Sequence, residues 1–118
     1  MRAKLIATLF ATALLPLAAS GQESSPGALQ GDAEAGQVKG YTCTGCHGIP
    51  GYKNVYPTYS VPKVAGQNAD YIQTVLKAYR AGDREHPTMN LQSMSLSDQD
   101  IADIAAWMQA MGGGEDAS

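Results

Sequence analysis

At 118 residues the chain holds one small domain rather than two, and its 44% hydrophobic and 16% charged residues are those of a globular protein, not a disordered one. Its 13 glycines follow no period, which excludes collagen-like and solenoid architectures. A formal charge of −3 without a Lys/Arg cluster argues against nucleic-acid binding.

In chain order, Arg2 and Lys4 precede an apolar run from Leu5 to Ala19, and Leu17-Ala18-Ala19-Ser20-Gly21 supplies small residues. That layout reads as a secretory signal peptide over residues 1–21, cleaved near Ser20 or Gly21. About fifteen apolar residues interrupted by Pro16 fall short of the roughly 20 needed to span a bilayer. No Cys follows the run to carry a lipid, and an uncleaved anchor is the alternative. Cleavage removes Arg2 and Lys4 and no carboxylate, leaving a more acidic, periplasmic domain. A domain this small has a modest core and gains from a large buried cofactor.

Residues 22–30 read as a flexible leader. Asp32 caps a helix running toward Tyr41, with Glu34 in its first turn and Gly36 and Gly40 on one side, where another element must approach closely. Residues 48–60, with Tyr52, Tyr56 and Tyr59, have no periodicity and read as a loop. Asn68 opens a helix whose apolar face is Ile72, Val75, Leu76 and Tyr79, with Gly82 just past its end. Residues 82–95 read as a second loop, carrying His86-Pro87, Met89 and Met94. Ser97 and Asp100 have capping-box spacing for a last helix whose apolar positions are Ile101, Ile104, Ala105, Met108 and Met111. Gly112-Gly113-Gly114 ends it, and residues 113–118 form a polar tail. No segment reads as a strand. The fold class is all-α, three main helices and long loops, and such loops need an organising partner.

Cys43-Thr44-Gly45-Cys46-His47 names that partner, because Cys-x-x-Cys-His is the attachment sequence for c-type haem. Two thiols three residues apart project from one helical turn toward the two vinyl groups of a porphyrin, and the adjacent imidazole reaches the iron. A thioredoxin-like redox pair lacks its strand–helix–strand frame here, and a zinc site lacks ligands. A close structural disulfide seldom ends in His. Cys43, Cys46 and His47 are therefore assigned to one covalent haem c, with iron. For the sixth ligand Met89, Met94 and His86 are candidates, whereas Met108 and Met111 belong to the apolar pattern of the last helix. Thioether sulfur suits ferrous iron and raises the potential relative to bis-His ligation.

From about Gly31 to Met111 the chain resembles a class I bacterial c-type cytochrome, similar to one domain of the two-haem, c-four type. The matching residues are Gly31-Asp32-Ala33-Glu34-Ala35-Gly36, the haem motif, Pro62-Lys63-Val64-Ala65-Gly66-Gln67, Tyr71, Tyr79-Arg80-Ala81-Gly82 and Leu96-Ser97-Asp98-Gln99-Asp100-Ile101-Ala102-Asp103. The resemblance implies a class I cytochrome c fold around one haem over residues 31–112. It implies Met89 as the axial sulfur, because the family's ligand lies seven residues before the Leu of Leu-Ser-Asp. It also implies Pro62 as the carbonyl that orients His47, and Gly36 and Trp107 as the contact between the first and last helices. Gln67 and Arg84 are candidates to hold a haem propionate, against simple solvation. Two departures stand out: residues 48–61 are a few residues longer than in c-four domains, and there is a single haem motif.

The function these readings support is a periplasmic, one-electron carrier in a respiratory or dehydrogenase-linked chain, and not an enzyme. A His/Met-ligated iron has no vacant site for substrate. Its partners are redox proteins (a dehydrogenase, a cytochrome complex or a terminal oxidase), and the chain is read as a monomer with no membrane span once the signal is removed. The acidic composition hints at a basic-rimmed partner. The alternative is a fixed cytochrome subunit of a larger dehydrogenase or oxidase. An enzyme or gas sensor with open iron would need loss of Met ligation, and no distal His/Arg pair is evident.

Overall fold

Asp32 accepts hydrogen bonds from the backbone N–H groups of Glu34 and Ala35, and this cap starts α1, Ala33–Gly40. A computed structural model of the chain describes residues 27–56 and 58–114. The segment read as signal peptide, the leader up to residue 26 and the tail from residue 115 lie outside the described residues. After α1 the chain makes one 3-10 turn, Tyr41–Cys43, and the single-turn helix α2, Thr44–His47. Asn68 caps α3, Ala69–Ala81, by accepting from Tyr71 N–H, and Gly82 ends it in the left-handed region at φ 83°. Then come α4, Pro87–Met94, and α5, Asp98–Ala110, followed by a 3-10 turn, Met111–Gly114.

The all-α expectation holds, but with more helix than the sequence reading allowed. Residues 82–95 were expected as a loop, and α4 occupies most of them. Pro87 at the first helical position and His86 as its cap start the helix. Leu91 and Met94 on it are 69% and 66% exposed, so no apolar stripe betrays it. The long loop 48–60 is also more ordered than expected. It folds back on itself through an isolated antiparallel bridge between Lys53 and Ser60, with Val61 N–H donating to the Tyr52 carbonyl at 2.9 Å. No strand occurs among the described residues. The stretch read as leader is fastened at its end: Leu29 exchanges two hydrogen bonds with the buried side chain of Gln73 on α3.

The frame is the crossing of α1 with α5. A Cβ on Gly36 would overlap the backbone carbonyl of Asp103, and one on Gly40 would press on the Trp107 ring at 2.9 Å. Glycine is required at both positions because backbone and indole occupy the space. The Ser97–Asp100 capping box starts α5 as the spacing predicts. Asp103, 3% exposed, accepts from Asp32 N–H at 2.9 Å, Lys39 Nζ at 2.7 Å and Gln99 Nε2 at 2.8 Å. Lys39 also reaches Asp100 at 2.8 Å. One cation on α1 thus neutralises two carboxylates on α5. Next to this seam, α3 packs on α5 through Ile72, Ile104, Ala105 and Met108. No helix among the described residues is long and apolar enough to cross a membrane.

The Asp103 carboxyl is lowered to about 2, first by the Asp32 N–H and then by Lys39 and Gln99. Asp100 is held below its ordinary range, chiefly by Lys39 and then Ser97, and Lys39 is raised in turn, by Asp100 first. A carboxyl lowered on folding stabilises the fold above its unfolded pKa of about 3.9 and loses that contribution as pH falls through its folded value. Helical circular dichroism of the holoprotein is expected to fall between about pH 4 and about pH 2, and Asp103→Asn should flatten that acid limb while lowering the melting temperature at pH 7. Gly36→Ala, which must force the crossing apart, is expected to destabilise by about 1–3 kcal/mol in thermal unfolding.

Candidate functional site

The haem motif lies at the turn that leaves α1. Thr44 Oγ1 donates to the Tyr41 carbonyl at 2.6 Å and Gly48 N–H to the Thr44 carbonyl at 3.0 Å, which winds residues 41–48 into one tight coil. Cys43 and Cys46, three apart, fall on neighbouring positions of that coil. Cys43 is half-buried and packs against the core beside Val64, Leu76 and Leu96, while Cys46 is exposed. Burial raises the Cys43 thiol above its ordinary value. The two cysteines are not joined to each other.

His47 is half-buried, and its Nδ1 lies 2.6 Å from the carbonyl oxygen of Pro62. With the proton on Nδ1, the ring donates there and keeps the Nε2 lone pair for a metal. A cleft of about 640 Å³ opens beside the imidazole, lined by His47, Ile49, Pro50, Val61 and Lys63 among others.

Met89 comes from a separate element, the first turn of α4, and is half-buried. Met94, at the far end of the same helix, is largely exposed. Met108 is buried in the core and Met111 packs against it, as their helical spacing indicates. Two neighbours hold the Met89 turn, one weighed in the sequence only as a ligand and the other not singled out. His86, a candidate ligand placed in a loop, is half-buried and caps α4, its Nδ1 accepting from Met89 N–H at 3.4 Å. Its ring meets Tyr59 edge-on at a centroid distance of 4.8 Å, with Tyr79 at 6.4 Å. Asn90 donates from Nδ2 to the carbonyls of Tyr79 at 2.6 Å and Arg84 at 2.9 Å, and its Oδ1 accepts from His86 N–H at 2.8 Å. Asn90 thereby ties the turn carrying Met89 to the end of α3. The His-Pro pair at the helix start was the available signal for the cap; nothing in the sequence marks Asn90.

Of the propionate candidates, Gln67 turns its Oε1 onto the neighbouring Asn68 N–H at 2.8 Å, and Arg84 lies over the Tyr79 ring at 5.1 Å. Hydrogen bonding to Tyr71 is the first cause that raises the Arg84 pKa.

The residues fit a haem. Among the described residues the buried apolar core is Ile72, Ile101, Ala102, Ile104, Ala105 and Met108. Val64, Leu76, Leu96, Trp107, Met111 and Cys43 border it half-covered, which is the surface a large apolar guest would bury. Cys43 lies on that wall, while Cys46 and His47 come from the same turn after α1 and Met89 from the start of α4. No group of three or more His, Cys, Asp or Glu among the described residues is placed to hold a metal ion.

Comparison with known proteins agrees. A family model described as cytochrome c matches residues 33–112. Cytochrome c-554(548) of Halomonas halodenitrificans is 45% identical over 80 residues, covering 65% of this chain and 93% of that protein. A cytochrome c4 of Pseudomonas aeruginosa is 42% identical over 77 residues, 65% of this chain but 37% of its own length. This chain therefore spans well under half of that relative. A Thiomonas intermedia protein named thiosulfate dehydrogenase electron acceptor is 32% identical over 99 residues, 81% of this chain and 43% of that protein.

Asn90→Ala strands the Tyr79 and Arg84 carbonyls and the His86 N–H. It is expected to cost about 1–3 kcal/mol in thermal unfolding of the holoprotein. It should also weaken the sulfur-to-iron charge-transfer band of the ferric form at a pH where the parent keeps it.

Proposed function

This chain belongs to the cytochrome c family, and we propose that it works in the periplasm as a monomeric one-electron shuttle whose iron is held between His47 and Met89. It is an electron-transfer protein rather than an enzyme, and it carries one covalently bound haem c. When bound, that haem supplies a reversible one-electron couple.

The residues of the chain do the rest. Cys43 and Cys46 would hold the group as attachment thiols, and Cys43 itself packs on the Ile72–Met108 core. The Pro62 carbonyl fixes the His47 tautomer and ring angle and strengthens its donation. Met89 would supply the second iron ligand, from a turn clamped by His86 and Asn90. Neither ligand has to move when an electron arrives, because each is held by a hydrogen-bonded turn. Little reorganisation accompanies transfer, which suits outer-sphere exchange over catalysis. Core packing excludes water from one side and raises the potential along with the thioether ligand.

The observation that carries this reading is the His47–Pro62 contact on the turn that also bears both cysteines. The likeness to a protein named as an electron acceptor of thiosulfate dehydrogenase favours a dehydrogenase as the donor. Residues 1–21, read as a secretory signal, support the periplasmic location.

Spectra of the purified holoprotein test the ligands. The ferric form is expected to show a sulfur-to-iron charge-transfer band, and the ferrous form to leave its spectrum unchanged under carbon monoxide. Met89→Ala should abolish the band and admit carbon monoxide, whereas Met94→Ala should change neither. A band that survives Met89→Ala would overturn the assignment.

A further inference from the structure

Met89 is carried by a helix with little of its own to hold it. The eight residues of α4 bury one side chain, Ser93, and Leu91 and Met94 on it face solvent. A helix this short is marginal without tertiary support, so its first turn depends on what fixes the groups around it. Asn90 fixes the backbone there: its Oδ1 takes the His86 N–H, and its Nδ2 reaches the carbonyls of Tyr79 and Arg84. Those bonds do not hold the His86 imidazole, which can still turn about its own side-chain bonds. Whether it caps α4 depends on that rotation. The bond from Met89 N–H to Nδ1 is long, at 3.4 Å, and is lost when the ring swings.

Tyr59 stands against that ring. The centroids are 4.8 Å apart and the planes cross at 84°, an edge-to-face pair, while Tyr79 lies further off at 6.4 Å. Asn54 holds Tyr59 in turn, donating from its backbone N–H to the Tyr59 carbonyl at 3.0 Å and from Nδ2 to the phenol oxygen. The arms on either side are closed by the Lys53–Ser60 bridge and by the bond from Val61 N–H to the Tyr52 carbonyl. Among the described residues from 51 to 60, Asn54 and Tyr59 are half-buried and the others are exposed. The turn thus commits its inward side chains to one contact, made with the residue that caps a distant helix.

We propose that Tyr59 is a positioning residue for the sixth ligand: by packing on His86 it keeps the α4 cap in place and holds Met89 against exchange with small ligands from solvent. The inference rests on the reading of Met89 as a ligand and deepens it, since it makes the turn 52–60 part of what keeps the iron six-coordinate. Tyr59 acts through the imidazole and not on the iron. An aromatic pair of this kind is worth roughly a two- to tenfold shift in an equilibrium. That is small against the stability of a fold, but it sets how often a ligand opens. A competitor that binds only the open form has its apparent affinity scaled by the open fraction.

Imidazole titrated into the ferric holoprotein reads that fraction. Tyr59→Ala is expected to bind it roughly two- to tenfold more tightly than the parent, losing the sulfur-to-iron band at correspondingly lower imidazole. Tyr59→Phe, which keeps the ring, should stay close to the parent. Tyr56→Ala, which removes a 93% exposed ring from the same turn, should match it. In a Met89→Ala background Tyr59→Ala should have no effect, because the sulfur it positions is gone. If Tyr59→Ala yields no folded holoprotein, Tyr59→Leu, which also removes the aromatic pair, carries the same expectation. An affinity unchanged from the parent would overturn the proposal. So would a gain that persists in the Met89→Ala background, since Tyr59 would then shield the iron rather than position its ligand. Failure of the ligand assignment looks different: the parent itself would bind imidazole as tightly as Met89→Ala does.

Discussion

Everything in this structure hangs on how closely α1 and α5 cross. Two glycines on α1 let the backbone of Asp103 and the ring of Trp107 reach the helix surface. The short separation places the Asp103 carboxylate where it takes a backbone N–H of the α1 cap and the Lys39 ammonium together. Packing and charge then act on the same seam, and each depends on the other. A bulkier residue at position 36 would separate the helices and leave a nearly buried carboxylate short of its partners. The attachment turn follows α1 directly, so its position relative to the core is inherited from the crossing.

The core that results is small, and its border is only half covered. Among the described residues six apolar side chains are buried, and two of them are alanines. Such a core gives little hydrophobic stabilisation by itself. The half-covered wall of Val64, Leu76, Leu96 and Met111 is complete only when a large apolar group lies on it. Binding the cofactor and finishing the fold are in this sense one event. Covalent attachment through Cys43 and Cys46 suits a domain whose interior depends on its guest. The hydrogen bonds at Pro62 and Asn90 hold the two proposed ligands, His47 and Met89, in segments far apart in the chain, although neither segment belongs to a long helix.

The 48–61 region shows how a loop acquires a role from its surroundings. In sequence it is a run of Tyr, Pro and Gly without periodicity. In the fold, Tyr59 turns inward to His86 while Val55 and Tyr56 turn out. Three similar-looking positions therefore have different fates, decided by which arm of the turn each occupies and what faces it across space.

Much was legible without coordinates because it is written in short-range chemistry. The haem motif, the caps at Asp32, Asn68 and Ser97, and the apolar faces of α3 and α5 each depend on residues within a few positions of one another. Gly36 and Gly40 signalled a close approach and the resemblance paired Gly36 with Trp107, but nothing marked the Asp103 backbone as the nearest neighbour of Gly36. The helix α4 was not legible, since Leu91 and Met94 face solvent and its cap is a histidine. Nor was the attachment of Leu29 to Gln73, or the hold of Asn90 on the Met89 turn. Those depend on groups brought together from far along the chain, and no local pattern encodes a contact whose partner is chosen by packing. Residue type and spacing thus determined the cofactor, the helical class and most of the candidate ligands. Only the tertiary structure decided how those ligands are braced, because the groups that brace them come from segments the sequence leaves far apart.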